Sequence, residues 1–282
     1  MLLGMSAVKE RITYSDEKKN PLEGFADVLK NPYARRVLYS EFLKSFRGIA
    51  TFMQPFIAAA MLGSSSKTLL FALPIGIGTM VGMLIINALL KKFTSRVLYI
   101  ASGVYSVIIN IIAFGVGTLY LTHGQPLYLN IIFIVCLFGT GLQFGASNLL
   151  PNMFQADILD DLELKTGKRL GASLPFVISI GGTLSGLIAS GVVPYILYDN
   201  AETGWHSIIG YQQGLADGTA QSLRTKIMLL FFYTVVHGIM MLLAGVPFFT
   251  YKLSGAERDR VHNEVLKKRG ELSESEEVAK EA

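Results

Sequence analysis

Residues 157–169 hold four carboxylates (Asp157, Asp160, Asp161, Glu163) and three cations (Lys165, Lys168, Arg169) within thirteen positions. On a helix, Asp157 and Asp161 share a face, as do Asp161 and Lys165, because residues four apart are neighbours there. Such a cluster can make ion pairs to adjoining helices in one conformational state and release them in another; the same composition also fits a solubilising loop. A second constellation reads Gly139-x-Gly141-x-Gln143-x-x-Gly145-x-Ser147-Asn148 inside an apolar run. Amides are expensive to leave unpaired in lipid, so Gln143 and Asn148 should face a bundle interior or an aqueous cavity. Gln143 and Ser147 share a face, and hydrogen-bonding side chains at that depth suit a polyhydroxylated solute; hydrogen bonding between helices fits as well. A third set is Ser179 and Thr183, again four apart, beside the small residues Gly182, Gly186 and Ser190, whose spacing suits close helix packing. A fourth is Glu41, Lys44 and Arg47. A local Glu41–Lys44 pair would satisfy two of these, and Arg47, deeper in the run, is expected to face a cavity.

Catalytic and metal chemistry find little support. Histidines 123, 206, 237 and 262 are scattered without ligand spacing, and the single cysteine, Cys136, allows neither a disulfide framework nor a cysteine metal site. His237 is expected to serve as a hydrogen-bonded core residue. No phosphate loop or nucleophile elbow is present, so no enzyme activity, cofactor or metal is expected, and no nucleic-acid partner.

The elements that must position these groups follow from the solvent the chain is built for. Of 282 residues, 51% are hydrophobic and 16% charged, with a mean hydropathy of +0.45; a soluble domain carries roughly 25% charged residues. The apolar residues fall in blocks of about twenty, enough to cross a ~30 Å hydrocarbon core. Six spans are predicted, at 37–62, 68–90, 97–121, 128–152, 171–198 and 226–250. The chain thus divides into a linker segment at 1–36, with a short helix near 22–30, a transmembrane bundle at 37–250 and a polar tail at 251–282. With six crossings, one side collects twenty Lys and Arg and the other only Lys67, Arg224 and Lys226. By the positive-inside rule both termini are expected in the cytoplasm, the protein lying in the cell's plasma or inner membrane. The loop at 199–225 contains Trp205 and Tyr211 and could carry a short interfacial helix.

The spelling of residues 156–169 resembles the Ala-Asp-x-x-Asp-Tyr-x-Glu-x-Lys-Thr-Gly-x-Arg signature of the glycoside–pentoside–hexuronide:cation symporters, the family of the melibiose permease. The matching positions are Ala156, Asp157, Asp160, Glu163, Lys165, Thr166, Gly167 and Arg169; Asp161 stands where that family has Tyr, and Leu164 where it often has Trp. Lys9-Glu10-Arg11 resembles the end of the family's sixth helix and Asn31-Pro32 the start of its seventh. Gly210-Tyr211 with Gln221-Ser222 is similar to the segment before its twelfth helix, and Tyr251-x-Leu253 with Glu257-Arg258 to its tail. The resemblance, from about residue 8 to 270, implies an all-α polytopic membrane protein whose six helices correspond to the C-terminal bundle of a major facilitator transporter. It also implies a missing N-terminal six-helix half as partner, since in such folds the solute site lies at the midplane between repeats. The family's acidic cation-binding residues, and much of its sugar site, would lie in that half. Asn148 occupies a position where the melibiose permease has an aromatic sugar contact. Thr183 stands where the family usually has a Lys tying the cation site to the sugar site, and no Lys or Arg occurs between residues 170 and 223.

The expected function is therefore half of a secondary active transporter, moving a small polar solute, a sugar or glycoside, with Na⁺ or H⁺ by alternating access. The candidate solute-binding residues are Arg47, Gln143, Ser147, Asn148, Ser179 and Thr183. The candidate cytoplasmic gate is Asp157, Asp160, Glu163, Lys165, Thr166, Gly167 and Arg169. Residues 1–8 read as a severed helix end, which suggests a longer reading frame that has been split or truncated. Two alternatives stay open: a lysolipid or other amphiphile as cargo, and a non-transporting membrane scaffold or inactive truncated product.

Overall fold

The computed structural model describes residues 21–167, 170–200, 203–212 and 221–269, and among them the chain is helical apart from turns and two isolated bridges, Tyr198–Tyr211 and Asn200–Trp205. A short helix α1 (Pro21–Lys30) leads to α2 (Pro32–Ser45), which Asn31 caps by accepting the Tyr33 and Ala34 amides on its side chain. Then come α3 (Gly48–Leu62), α4 (Leu69–Leu89), α5 (Ser95–Thr122), α6 (Leu127–Thr166) and α7 (Ser173–Leu197). The last crossing joins α8 (Leu223–Phe231), a π-helical turn (Phe232–Val236), α9 (His237–Gly245) and a 3₁₀ turn (Val246–Thr250); α10 (Ala256–Arg269) follows. The described part of the loop at 199–222 contains turns and bridges, with no interfacial helix among its described residues.

Among the described residues five helices, not the six expected, are long and apolar enough to cross a membrane. The correction falls on the first expected span, 37–62, which is divided into α2 and α3. Around Phe46 the hydrogen bonds tighten to the i→i−3 pattern: Phe46 N donates to the Leu43 carbonyl at 3.2 Å and Arg47 N to that of Lys44 at 3.0 Å. The Phe42 carbonyl, which an α-helix would pair with the Phe46 N–H, instead accepts from Ser185 Oγ on α7 at 2.5 Å. A freed carbonyl in an apolar setting needs such a partner. Three ionisable residues and Gly48 also make this stretch poor in the continuous apolar character that marks a span. Together α2 and α3 still follow α7 along its length, from Leu38 packed on Gly181 to the Phe56 ring 6.1 Å from that of Tyr198.

Small residues set the closest packing, though not on α7 where the sequence drew attention to them. A Cβ at Gly186 would meet nothing within 4 Å, and one at Gly182 only Ser45 Oγ at 3.3 Å. The tight crossing is instead α4 on α6. A Cβ at Gly78, Gly82, Gly141 or Gly145 would run into the facing backbone, at the Phe138 O, Leu142 O, Ile75 O and Met83 N respectively. These are two small-xxx-small pairs meeting face to face, which lets backbones approach without side chains between them.

Apolar packing is split into two cores. One gathers Met53, Ile57, Phe71, Phe133, Ala189 and Leu229; the other, towards the end with the charged loops, gathers Val37, Tyr99, Phe154, Val177, Phe248 and Tyr251. Between them, at middle depth, lie the buried polar side chains Ser106, Asn110, Thr140, Gln143, Ser147, Thr234 and His237. That belt positions the candidate site.

Candidate functional site

Three residues of this belt, Asn110 of α5, Thr140 of α6 and His237 of α9, line a chamber of about 230 Å³, to which α3 adds Thr51 and Gln54, α6 Phe144 and the π-turn Tyr233. Asn110 donates to the Ser106 carbonyl at 2.8 Å and accepts from Thr140 Oγ1 at 3.4 Å. Three further polar atoms are buried without a partner: Gln54 Nε2, the Tyr233 hydroxyl and His237 Nε2. Buried polar groups are ordinarily hydrogen-bonded, and those that are not cost of order 1–3 kcal/mol each. Several converging on one cavity mark a place where something polar binds. The π-helical turn contributes to this convergence, since it inserts one residue into the ladder and changes which side chains face inward.

Beside the chamber lies Arg47, at the break between α2 and α3. Its guanidinium sits 4.6 Å from the Phe144 ring centroid and donates to Ser147 Oγ at 3.2 Å, and the Phe144 ring lies 5.1 Å from that of His237. Phe144 thus forms the wall between the arginine and the chamber. One turn earlier, Lys44 Nζ pairs with Glu41 Oε1 at 2.5 Å, the local pair expected from their spacing, and reaches the Ser147 carbonyl at 3.4 Å.

Of the solute-binding candidates, Arg47 and Ser147 come together here. Gln143 is buried with both amide atoms unpaired, but it borders an apolar crevice between α4, α5 and α6, not the chamber. Asn148, Ser179 and Thr183 are exposed, with Ser179 Oγ donating to the Phe176 carbonyl at 2.8 Å. Gln54, Asn110, Thr140 and Tyr233 are not among the solute-binding candidates that the sequence offers, and His237, expected as hydrogen-bonded core, has an unpaired Nε2. A signal was present: each is a polar residue inside an apolar run.

At the charged end, α6 continues through Pro151 to Thr166 as one 40-residue helix closed by Gly167 at φ 65°. The central residue of the acidic cluster is Asp161, buried, accepting from Asn31 Nδ2 and Lys165 Nζ, each at 2.7 Å. Lys165 also lies 5.3 Å from the Tyr33 ring centroid. Asp160 meets His262 Nδ1 at 2.8 Å and the Leu164 carbonyl accepts from Lys268 Nζ at 3.2 Å, so α10 is docked along the extension of α6. Asp157 Oδ2 is buried without a hydrogen bond, and Glu163 and Thr166 both have partners. The structure thus links α2, α6 and α10 through the predicted gate segment, with Asp161, Asn31 and His262 as additions to it. Lys168 and Arg169 lie outside the described residues.

Five long apolar helices around a polar belt define a multi-pass, all-helical membrane protein. A family model described as MFS/sugar transport protein matches residues 2–255. The chain belongs to that family, as a melibiose-permease-like transporter of the major facilitator superfamily. No curated protein matches it.

Proposed function

We propose that the chain forms one half of an alternating-access transporter for a small polyhydroxylated solute, a sugar or glycoside, driven by Na⁺ or H⁺. The observation that carries this reading is the set of unpaired buried polar atoms on Gln54, Tyr233 and His237 around one chamber. At about 230 Å³ the chamber falls below the roughly 300–1,000 Å³ of drug-sized sites, which suits a sugar ring or part of one. Gln54, Asn110, Thr140, Tyr233 and His237 would exchange hydrogen bonds with solute hydroxyls, and Arg47 would hold Phe144 as a stacking face. A second bundle completes the transporter in this reading. Support comes from Thr51, Asn148, Ser179 and Thr183, which are exposed on otherwise apolar helices, where lipid is a poor neighbour for polar groups. The charged-end contacts among α2, α6 and α10 act as the cytoplasmic gate, with both termini in the cytoplasm.

The test is equilibrium binding of radiolabelled glycosides to membranes holding the full chain, with and without Na⁺ and across pH. At least one glycoside should bind, and Asn110→Ala and Arg47→Ala should each weaken it at least tenfold. Absence of binding across a broad glycoside panel, or binding indifferent to both substitutions, would overturn the assignment.

A further inference from the structure

A second pair of cavities lies away from the chamber, on the α4–α5 hairpin. At the charged end, a pocket of about 250 Å³ is bounded by residues 90–95, Met153 of α6, and Gly255 and Arg258 near the start of α10. Three of its residues, Lys91, Lys92 and Arg258, carry positive charge and none carries negative charge. Lys91 and Lys92 are exposed, with no ion-pair partner among the described residues; Arg258 donates to Asp259 Oδ1 through Nε at 3.0 Å and Nη2 at 2.7 Å, leaving Nη1 for another acceptor. The first turn of the 28-residue α5 opens here behind its cap, Thr94, and its leading amides have no intrahelical acceptor. Ser95, in that turn, is 3% exposed and lines the pocket, and its hydroxyl makes no hydrogen bond among the described residues. Ser95 lines the pocket, so its hydroxyl can donate to an acceptor there.

The second cavity lies next to the first along the same helices. An apolar crevice of about 250 Å³ runs between α4 and α5 over α6. The two have no lining residue in common but sit on neighbouring stretches of the same helices: Leu90 lines the pocket and Leu89 the crevice; Ser95 lines the pocket and Leu98, one turn on, the crevice; Met153 lines the pocket and Ala146, two turns back, the crevice. The crevice is open to the surrounding membrane, with Ile85 44% and Tyr105 37% exposed on its rim. From Met153 to Gln143 at its inner end α6 rises about 15 Å, the depth of one leaflet of a ~30 Å hydrocarbon core. A cationic pocket beside an apolar slot one leaflet deep has the form of a phospholipid.

We propose that the α4–α5 cleft binds one anionic phospholipid. Its phosphate lies against Lys91, Lys92, Ser95 and the α5 N-terminus, and one acyl chain fills the crevice. The lipid is a resident ligand and not cargo, and the assignment stands independently of the solute chamber. Its chemistry is that of basic pockets at helix ends that recognise anionic headgroups.

The full chain in mild detergent, titrated with phosphatidylglycerol or phosphatidylcholine and read by native mass spectrometry, tests this. Wild type should hold phosphatidylglycerol at least tenfold more tightly than phosphatidylcholine. The double variant Lys91→Gln/Lys92→Gln should lose about thirtyfold for phosphatidylglycerol, with phosphatidylcholine binding unchanged as the sign of an intact fold. Ala101→Trp, on the exposed rim of the crevice, should weaken both lipids without altering their ratio. Equal binding of the two lipids by wild type, or an unchanged phosphatidylglycerol affinity in the double variant, would overturn the proposal. So would inorganic phosphate or glycerol 3-phosphate binding as tightly as the lipid, which would make the pocket a free-anion site.

Discussion

Tyr233→Phe separates stability from function at the chamber with the loss of a single oxygen. The Tyr233 side chain is 6% exposed, and its hydroxyl, buried in the chamber wall, has no partner. A desolvated hydroxyl without a hydrogen bond costs about 1–3 kcal/mol in proteins, so its removal should leave the solute-free protein as stable or raise its stability by up to about 2 kcal/mol. The smaller figure applies if water fills the chamber and partly satisfies the group. A glycoside that bonds to this hydroxyl would lose about 0.5–1.5 kcal/mol, a weakening of about three- to tenfold. The assay is thermal unfolding of the purified full chain with and without glycoside, alongside the binding measurement. Stability should hold or rise while the ligand-induced shift shrinks. A variant destabilised by more than about 1 kcal/mol would refute the reasoning, because the hydroxyl would then have a partner in the resting protein and would not be held for solute.

Three further expectations concern the frame around that site. Asp161→Ala strips Asn31 Nδ2 of its acceptor and should cost about 1–3 kcal/mol, whereas Asp161→Asn keeps an acceptor and loses only the pair to the half-exposed Lys165, under about 1 kcal/mol; denaturant titration in detergent distinguishes them. Gly145→Val drives a side chain into the α4 backbone at Gly82 and Met83 and should cost at least about 1–3 kcal/mol, while Gly186→Val, facing open space, should be tolerated; their melting temperatures give the comparison. Tyr251→Phe should be neutral or stabilising by up to about 1 kcal/mol, as judged by thermal unfolding. Burial holds that phenol far above the usual tyrosine range, and its hydroxyl has no hydrogen-bond partner to lose.

The spans were legible because lipid imposes one rule over the whole length of a crossing: about twenty apolar residues in a run. Leu69–Leu89 and Ser173–Leu197 differ from the expected 68–90 and 171–198 by only a residue or two at each end. Hydropathy could not reveal the break at Phe46, since that depends on Ser185, far along the chain, being placed to take the Phe42 carbonyl. Pro151 reads as the end of a helix near 152, yet α6 runs through it to Thr166, where Leu162 and Ile158 bury against neighbours that reward continuation. For the site, single residues were visible and their assembly was not. Gln54, Asn110, Thr140 and the pair Tyr233 and His237 come from four different crossings, and no spacing along one helix reports that the four meet. The glycines of α4 and α6 carried the same small-xxx-small spacing as those of α7; which pair faces a helix and which faces open space is decided only by the packing.

The short 3₁₀ turn between α2 and α3 has a mechanical meaning. Residues in that geometry advance about 120° and 2.0 Å each, against about 100° and 1.5 Å in an α-helix. Were Phe46 and Arg47 to relax into α form, α3 would swivel by roughly 40° about its axis relative to α2 and draw in by about 1 Å. Such a change exchanges one set of backbone bonds for another, releases the Ser185 hydroxyl and requires Met53 and Ile57 to repack. It would turn Thr51 and Gln54 together, as teeth on one wheel, past Tyr233 and His237. The joint is thus a pawl: a single turn of backbone whose winding sets which side chains α3 offers to the chamber.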